Sequence, residues 1–328
     1  MNNPRDTYRI PSFFEVLMKV WINAPFSSEN RELIKGAAAG CKVFFGKEVI
    51  PDAEIIVGQP HEATDFSRLK LLQSTNAGVE KLISAKIPEN VTIANVTGAF
   101  GMAISEYIMA GLLALSQKLH RYRENQRRHI WRDEGQETLL YGKNALILGC
   151  GDIGSSAAYR LHAFGVKITG IRREPVRTGY FDAVFGIEAL DRLLPDADFL
   201  ICCLPHTEQT RGIMSRDRFS LMKKGAILVN VGRGSLIDET ALIESLETGK
   251  LSGAVLDVFN EEPLSDSSPL WDMENVIVTP HISGPSFGHY PEVERKIAEL
   301  CAGNISRFLN GMPLLNRIDR NKGYAERK

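Results

Sequence analysis

Residues 144–154 read Asn-Ala-Leu-Ile-Leu-Gly-Cys-Gly-Asp-Ile-Gly, and this stretch decides the fold. Residues 144–149 form a short apolar run of the kind found in strands that are buried on both faces. Glycines stand at positions 149, 151 and 154, and a helical pattern continues through residues 155–163. The stretch therefore predicts a buried strand, a glycine-rich turn and a helix, in that order.

Similar apolar runs lie on both sides of this unit and indicate further strands. They occupy residues 18–22, 43–45, 54–57, 166–171, 199–204, 226–231, 253–258 and 276–279. Helical stretches such as residues 29–39 separate most of them, and a long helix is predicted over residues 102–128. An alternation of strands and helices implies parallel sheets, so we predict a doubly wound α/β fold.

Composition limits the class of protein. The chain has 328 residues, which suggests two domains, and 44% of them are hydrophobic, as in ordinary globular proteins. Its 39 Lys and Arg residues balance 40 Asp and Glu residues. A net charge of −1 gives no overall attraction to nucleic acid or to anionic membranes. The run of Arg121, Arg123, Arg127 and Arg128 is interpreted as a solvated helix face.

The cysteines and the longest apolar stretch predict a cytoplasmic protein. None of the five cysteines forms a Cys-x-x-Cys pair, which favours a reducing compartment, and no metal-binding constellation is seen. The stretch over residues 101–115 is too short for a membrane span and contains Glu106. Residues 1–17 precede the first predicted strand; we interpret them as a weakly ordered extension, with Met18 as a plausible start.

The glycine turn predicts a dinucleotide site. Gly149 allows a tight turn, Gly151 lets the backbone approach a pyrophosphate, and Gly154 lets the helix pack closely on the strand. The free N–H groups at the start of the helix then bind phosphate. Arg172 and Arg173 follow the next strand, where an acidic residue would favour NAD. Two guanidinium groups suit the 2′-phosphate of NADP instead, so NADP(H) is preferred and NAD(H) stays possible. The alternative is that both arginines are solvated loop charges.

Three further strands are followed by polar residues in otherwise apolar surroundings. Arg233 follows residues 226–231, Glu262 follows residues 253–258, and His281 follows residues 276–279. Ligands of open α/β sheets bind at the carboxyl ends of the strands. We therefore expect these three side chains to converge at one edge of the sheet.

These motifs resemble the D-isomer-specific 2-hydroxyacid dehydrogenases, in particular the glyoxylate/hydroxypyruvate reductases. The match is dense over about residues 140–285, where Arg233, Glu262 and His281 have the order and spacing of the family's catalytic set. It is thinner over residues 70–115, through Asn76-Ala77-Gly78-Val79. The resemblance implies that a hydride passes between NADP(H) and a 2-oxo acid. Alternatives are a dehydrogenase for a bulkier 2-oxo acid and a cofactor-sensing protein that is not an enzyme.

The resemblance also implies roles for single residues. His281 would donate a proton to the carbonyl oxygen, Glu262 would fix its tautomer, and Arg233 would hold the substrate carboxylate. Gly78 and Val79 would bind that carboxylate through their N–H groups, and Asn76 would add a side-chain contact or only form the turn. Asp257 would receive the nicotinamide carboxamide or only cap its strand. The expected cofactor contacts are Gly149, Gly151, Asp152, Ile153, Gly154, Arg172, Arg173, Leu204, Pro205, Thr210, Val231, Gly232, Asp257 and Gly284.

The family arrangement implies a discontinuous domain order. Residues 1–99 and 284–328 would form a flavodoxin-like substrate domain, and residues 100–283 a Rossmann-type dinucleotide domain. A homodimer is expected through the dinucleotide domain, near Trp131. The substrate side chain would contact residues 58–61, Phe100 and Met102, with Phe287 and Tyr290 as further candidates, although packing would explain these residues equally well.

Overall fold

The computed structural model describes residues 17–325 and contains two parallel sheets and a small hairpin. Its strands are β1 (Lys19–Ile22), β2 (Lys42–Phe45), β3 (Ile55–Val57), β4 (Leu71–Gln73), β5 (Thr92–Ala94), β6 (Asn144–Leu148), β7 (Lys167–Ile171), β8 (Ala183–Phe185), β9 (Phe199–Cys202), β10 (Ala226–Asn230), β11 (Leu251–Leu256), β12 (Val276–Val278), β13 (Ile318–Asp319) and β14 (Tyr324–Ala325). Its α-helices are α1 (Ser28–Ala37), α2 (Glu80–Ser84), α3 (Gly101–Ser116), α4 (Leu119–Arg127), α5 (Asp152–Ala163), α6 (Leu190–Leu193), α7 (Arg216–Leu221), α8 (Glu239–Glu247) and α9 (Pro291–Leu309).

The first sheet has the strand order β2-β1-β3-β4-β5, and every pair in it is parallel. This is the flavodoxin-like order, in which helices cover both faces. The side chains of β3 and β4 are buried along the whole of both strands. The sequence analysis predicted β1, β2 and β3 but missed β4 and β5, which have three residues each.

The second sheet has the strand order β12-β11-β10-β9-β6-β7-β8 and is also parallel throughout. The chain runs outward from β6 to β8 and then returns to the other side of β6 with β9. This reversal is the switch point of a Rossmann fold, where a crevice opens at the carboxyl ends of the strands. The prediction of two doubly wound parallel sheets is confirmed.

The predicted long helix over residues 102–128 is wrong, because the chain breaks between α3 and α4. Lys118 has a left-handed backbone with a φ of 52°, which no helix continues. Its ammonium group donates to the carbonyl of Glu134, so tertiary contact holds the break. The apolar α3 packs on α5 and on the second sheet, whereas the polar α4 leaves that sheet.

The C-terminal part of the described chain packs on the first sheet. Helix α9 lies against α1, and the carboxylate of Glu294 accepts hydrogen bonds from Ser27 N (2.7 Å) and Asn30 Nδ2 (2.8 Å). The hairpin of β13 and β14 contacts β5, where Arg317 bridges Ala94. The predicted domain limits at 99/100 and 283/284 stay predictions.

Two further sequence predictions concern cysteines and membranes. All five cysteines lie in the described chain, and none of them forms a disulfide there. Over residues 17–325, no helix is both long enough and apolar enough to cross a membrane. The interpretation of residues 1–17 as an extension lies outside the described residues, except for Leu17.

Candidate active site

The glycine turn after β6 has the shape that a dinucleotide requires. Gly149 adopts a φ of 104°, and its N–H donates to the carbonyl of Ile171 at 2.8 Å. A Cβ atom on Gly154 would lie 1.9 Å from the oxygen of Gly149, so the helix packs directly on the turn. Helix α5 begins at Asp152, one residue after Gly151 and one before Ile153. Its first N–H groups have no partner within the helix, and together with the helix dipole they form an anion site.

The carboxylate of Asp152 connects this turn to helix α3. Its Oδ2 atom accepts a hydrogen bond from the N–H of Gly101 at 2.9 Å. A Cβ atom on Gly101 would lie 2.4 Å from Oδ1 of Asp152, so the two segments are in close contact. The glycine turn is therefore held by the helix that follows the first sheet.

Arg172 and Arg173 follow β7, as the sequence predicted for the adenosine end of a dinucleotide site. Arg173 is exposed, and its Nη2 atom donates to Oε1 of Gln209 at 3.3 Å. Its guanidinium also lies 4.6 Å from the centre of the Tyr324 ring, a cation–π contact with the C-terminal hairpin. These contacts place an oriented positive charge at the end of β7.

The turns after β9 and β10 lie against each other. A Cβ atom on Gly232 would lie 2.6 Å from the oxygen of Leu204, and the neighbouring Val231 is buried. The hydroxyl of Thr210 donates to the carbonyl of Pro205 at 2.7 Å, which closes the loop after β9. Thr210 therefore has a structural partner of its own, and its contact with a cofactor stays a prediction.

The turn that carries Arg233 is held by its own neighbours. The side chain of Asn230 accepts from Gly232 N at 3.2 Å and donates to the carbonyl of Arg233 at 3.0 Å. A Cβ atom on Gly234 would lie 1.9 Å from the carbonyl carbon of Phe259, so this turn packs on the segment after β11. The guanidinium of Arg233 binds Glu80, a carboxylate from the first sheet's side of the cleft, at 2.9 Å.

His281 and Glu262 form a second contact between strand ends. Nδ1 of His281 lies 2.8 Å from Oε2 of Glu262, while Oε1 of Glu262 accepts from Phe259 N at 3.0 Å. The imidazole is half exposed, which leaves its Nε2 atom accessible to a ligand. His281 has a left-handed backbone with a φ of 54°, a sparsely populated region that often occurs at functional sites.

The side chain of Asp257 holds the turn after β12 through hydrogen bonds. Its carboxylate is fully buried and accepts from the hydroxyl of Thr279 (2.6 Å), Ile282 N (2.8 Å) and Ser283 N (2.9 Å). These contacts favour the strand-capping interpretation of Asp257 that the sequence left open. Gly284 continues this turn, and a Cβ atom there would lie 2.7 Å from the side chain of Ile104.

Tyr107 of helix α3 extends this network. Its hydroxyl lies 2.6 Å from that of Thr279, which already donates to Asp257, so Tyr107 is the donor. Burial raises the pKa of Tyr107 to about 12, and the nearby Asp257 charge adds to the rise, whereas the Thr279 hydrogen bond opposes it. The phenol therefore stays protonated at neutral pH.

The loop after β4 faces Arg233. A Cβ atom on Gly78 would lie 2.1 Å from Nη2 of Arg233. Within the described residues, the N–H groups of Gly78 and Val79 donate no hydrogen bond to the protein. The side chain of Asn76 is exposed, and its backbone N–H donates to Oγ of Ser74 at 3.1 Å.

The predicted lining of the substrate side-chain pocket is divided between core and surface. Phe100 is buried, and Phe287 packs edge-to-face on Phe26 with ring centres 5.2 Å apart. Met102 and Tyr290 are exposed. Packing accounts for the two phenylalanines, and a role in substrate selection stays a prediction.

The sequence analysis predicted the strand-end residues but missed three that support them. Asn230, Glu80 and Tyr107 were given no role from the sequence. Their partners are distant in the chain: Glu80 is separated from Arg233 by 153 positions, and Tyr107 from Thr279 by 172. In the part of the chain that the structure describes, no group of three or more His, Cys, Asp and Glu side chains is arranged to hold a metal ion.

Comparison with known proteins identifies the family. Residues 109–283 match the model of the D-isomer specific 2-hydroxyacid dehydrogenase NAD-binding domain, which is more than half of the chain. The chain therefore belongs to the D-isomer specific 2-hydroxyacid dehydrogenase family. Family membership and the glycine turn together support an oxidoreductase that acts on a CH–OH group and binds a nicotinamide dinucleotide.

Solved structures of relatives have the same architecture. A family member from Aeromonas salmonicida is 34% identical, with a TM-score of 0.80 over 92% of this chain and 99% of that one. An NADPH-dependent glyoxylate/hydroxypyruvate reductase from Sinorhizobium meliloti, solved with NADP and sulfate, is 29% identical, with a TM-score of 0.78 over 94% and 100%. Sequence comparison also finds a D-3-phosphoglycerate dehydrogenase from Methanocaldococcus jannaschii that is 33% identical. The match covers 80% of this chain but about half (51%) of the length of that protein.

Proposed function

We propose that this protein reduces a small 2-oxo acid to the D-2-hydroxy acid with NADP(H), with glyoxylate or hydroxypyruvate as the substrate. The observation that carries the proposal is the 2.8 Å contact between Nδ1 of His281 and Oε2 of Glu262. This pair lies at the same sheet edge as Arg233, because β10, β11 and β12 are parallel neighbours. A proton donor and a carboxylate-binding group at one edge are what the reduction of a 2-oxo acid requires.

Each of these residues has a defined part in the reaction. A bound reduced nicotinamide supplies the hydride, which adds to the carbonyl carbon of the substrate. The imidazole of His281 gives the proton on Nε2 to the carbonyl oxygen, which becomes the hydroxyl group. Glu262 accepts from Nδ1 and thereby fixes the tautomer and the ring orientation, and it stabilises the imidazolium that donates the proton. Arg233 and the N–H groups of Gly78 and Val79 hold the substrate carboxylate.

The preference for NADP(H) rests on Arg172 and Arg173 at the end of β7. Arg173 is oriented by Gln209 and by the ring of Tyr324, so its guanidinium is already ordered before a ligand binds. A planar guanidinium forms paired hydrogen bonds with phosphate oxygens, which NADP offers at this point and NAD does not. The Sinorhizobium meliloti reductase, which is solved with NADP, supports the same choice.

We also propose a cytoplasmic homodimer. Trp131, Leu139 and Tyr141, which lie between α4 and β6, are exposed at 104%, 69% and 78%. Apolar side chains of this size on one segment favour contact with a second protein surface, and a second copy of the dinucleotide domain is the expected partner. The five cysteines form no disulfide within residues 17–325, which fits a reducing compartment.

One plate of assays tests the reaction and the cofactor. Oxidation of NADPH and of NADH is followed against glyoxylate, hydroxypyruvate, pyruvate, 2-ketoisocaproate and phenylpyruvate. We expect the highest kcat/KM for NADPH with glyoxylate or hydroxypyruvate. Preference for a branched or aromatic acid would correct the substrate class. Tight NADPH binding without any turnover would favour a protein that senses the cofactor.

A further inference from the structure

The guanidinium of Arg233 is paired with a carboxylate of the protein itself. Its Nε atom donates to Oε1 of Glu80 at 2.9 Å, and its Nη2 atom lies 3.5 Å from Oε2 of the same carboxylate. Its Nη1 atom donates to the carbonyl of Gly232 at 2.7 Å. Three of the five N–H donors of the guanidinium are therefore directed at the protein itself.

This ion pair crosses the cleft between the two sheets. Glu80 is the first residue of α2, two positions after Gly78, whereas Arg233 follows β10 of the second sheet. A Cβ atom on Gly78 would lie 2.1 Å from Nη2 of Arg233, so the guanidinium rests against the loop after β4. The space between this loop and Arg233 is where the proposed reaction requires the substrate carboxylate. Arg233 and the carboxylate of Glu80 occupy this space.

The surroundings of Glu80 favour its ionised form, which is the form that pairs with Arg233. Burial acts to raise the pKa of Glu80, but the charge of Arg233, a backbone hydrogen bond at Glu80, the hydrogen bond from Arg233 and the charge of His206 together lower it from its ordinary value. Glu80 therefore stays charged at neutral pH. His206 also faces Glu80 and is hydrogen-bonded to Oγ of Ser235 at 2.7 Å. About a third of each side chain in the pair remains exposed, so a ligand can reach both partners.

We propose that Glu80 is a built-in counter-ion of Arg233 that competes with the substrate carboxylate and thereby sets the KM. The inference rests on the proposed 2-oxo acid reduction. A substrate carboxylate must displace Glu80 from the guanidinium or bind beside it. In either case two negative charges share one cation, and the cost weakens substrate binding. The hydride and proton transfers involve neither oxygen of Glu80, so kcat is expected to change little.

Glu80→Gln removes the charge and keeps the shape of the side chain. We expect this variant to lower the KM for the 2-oxo acid by at least about threefold, with kcat within about twofold of the wild type. Calorimetric titration of oxamate into the cofactor-saturated protein should show the same gain in affinity. Glu80→Asp keeps the charge on a shorter side chain, and its KM and oxamate affinity should lie between those of Glu80→Gln and those of the wild type. Glu89→Gln, which removes an exposed carboxylate from the same sheet's side of the cleft, is the matched control and should match the wild type.

A chemical readout tests the contact without substrate or cofactor. Phenylglyoxal modifies arginines that lack a carboxylate partner faster, and peptide mass spectrometry reports the rate at Arg233. We expect a faster rate at Arg233 in Glu80→Gln but not in Glu89→Gln, with exposed Arg123 as the internal reference. An unchanged rate at Arg233, or an unchanged or higher KM in a folded Glu80→Gln protein, would overturn the proposal.

Failure of the proposed function gives a different pattern. A wild-type protein that neither turns over any 2-oxo acid nor binds oxamate would reject the reductase and the competition for substrate with it. A faster phenylglyoxal reaction of Arg233 in Glu80→Gln would then still support the counter-ion contact. If Glu80→Gln does not fold, the KM, oxamate affinity and Arg233 rate of Glu80→Asp decide between the same outcomes.

Discussion

Nδ1 of His281 lies 2.8 Å from Oε2 of Glu262, and the two residues come from segments that follow neighbouring parallel strands. The other oxygen of Glu262 accepts from Phe259 N at 3.0 Å, so the carboxylate is oriented before it meets the imidazole. The backbone N–H of His281 donates to the carbonyl of Asp257 at 2.9 Å. Both partners are thus positioned by the segment after β11, and the free ring nitrogen of His281 is directed by contacts that do not involve substrate.

Replacement of His281 is expected to remove turnover and to spare cofactor binding. His281→Ala lacks the proton donor, so kcat should fall by about 100-fold to 10,000-fold, while the Kd for NADPH from fluorescence titration stays within about twofold. Glu262→Gln should cause a smaller loss, because the imidazole remains but its tautomer is no longer fixed. His289→Ala and Glu261→Gln are matched exposed controls. Retained turnover in His281→Ala would exclude this residue as the proton donor.

Removal of both arginines after β7 should change the choice of cofactor. The double variant Arg172→Ala and Arg173→Ala is expected to weaken NADPH binding by about 10-fold to 100-fold, since charge-assisted hydrogen bonds to phosphate are lost. The Kd for NADH should change by less than about threefold. Lys224→Ala removes an exposed cation elsewhere on the same domain and should change neither the Kd for NADPH nor the Kd for NADH. An equal loss for both cofactors would mean that the arginines do not recognise the 2′-phosphate.

A methyl group at Gly154 is expected to disrupt the dinucleotide turn. The new Cβ atom would lie 1.9 Å from the oxygen of Gly149, and a backbone atom cannot move aside cheaply. Gly154→Ala should therefore lower the free energy of unfolding by about 1–3 kcal/mol in urea titrations and weaken NADPH binding. Gly303→Ala in helix α9 is the control, because nothing lies within 4 Å of its Cβ position. There the same change should stabilise the protein by about 0.5–1 kcal/mol.

The exposed segment after α4 provides a test of assembly. Trp131 is fully exposed in the single chain, so a charged side chain there costs the monomer little. If the segment contacts a second copy, Trp131→Asp should shift a dimer toward monomer in sedimentation velocity experiments at micromolar concentration. Trp271→Asp replaces another exposed tryptophan and should leave the oligomeric state unchanged. A wild-type protein that sediments as a monomer would contradict the homodimer.

The sequence predicted the sheets well where apolar runs are long and less well where they are short. Strands β6, β7 and β9 to β12 were predicted from apolar runs around a glycine turn whose spacing has a physical meaning. Strands β4, β5 and β8 have three residues each and were missed, although β3 and β12 are equally short and were predicted. The break at Lys118 depends on a contact with Glu134, which no local propensity encodes.

The residues of the candidate site also divide into those that a sequence pattern predicts and those that only the folded chain reveals. Arg233, Glu262 and His281 could be predicted because each follows a predicted strand, and parallel strands end at one edge. Glu80 and Tyr107 could not, because the partner of Glu80 lies across the cleft and the partner of Tyr107 lies in the turn after β12. Asp257 was selected, but its three hydrogen bonds to the turn after β12 are visible only in the folded chain.

Loss of the Tyr107 hydroxyl should cost stability in a way that depends on pH. Thr279 uses its proton on Asp257 and accepts from Tyr107, so Tyr107→Phe leaves that acceptor without its donor. We expect about 1 kcal/mol less free energy of unfolding at pH 8, measured by urea titration. The pKa of Tyr107 is raised to about 12 in the folded protein, against an ordinary value of 10.0. Its contribution is therefore complete below pH 10 and is lost as the pH rises toward 12.

The difference between the wild type and Tyr107→Phe should accordingly shrink from pH 10 upward. Tyr159→Phe removes an exposed phenol from the second sheet's side of the protein and serves as the control, with no expected difference at pH 8. A gap that stays constant between pH 8 and pH 11.5 would mean that the phenol titrates normally. In that case the hydrogen bond to Thr279 does not hold the turn that carries His281.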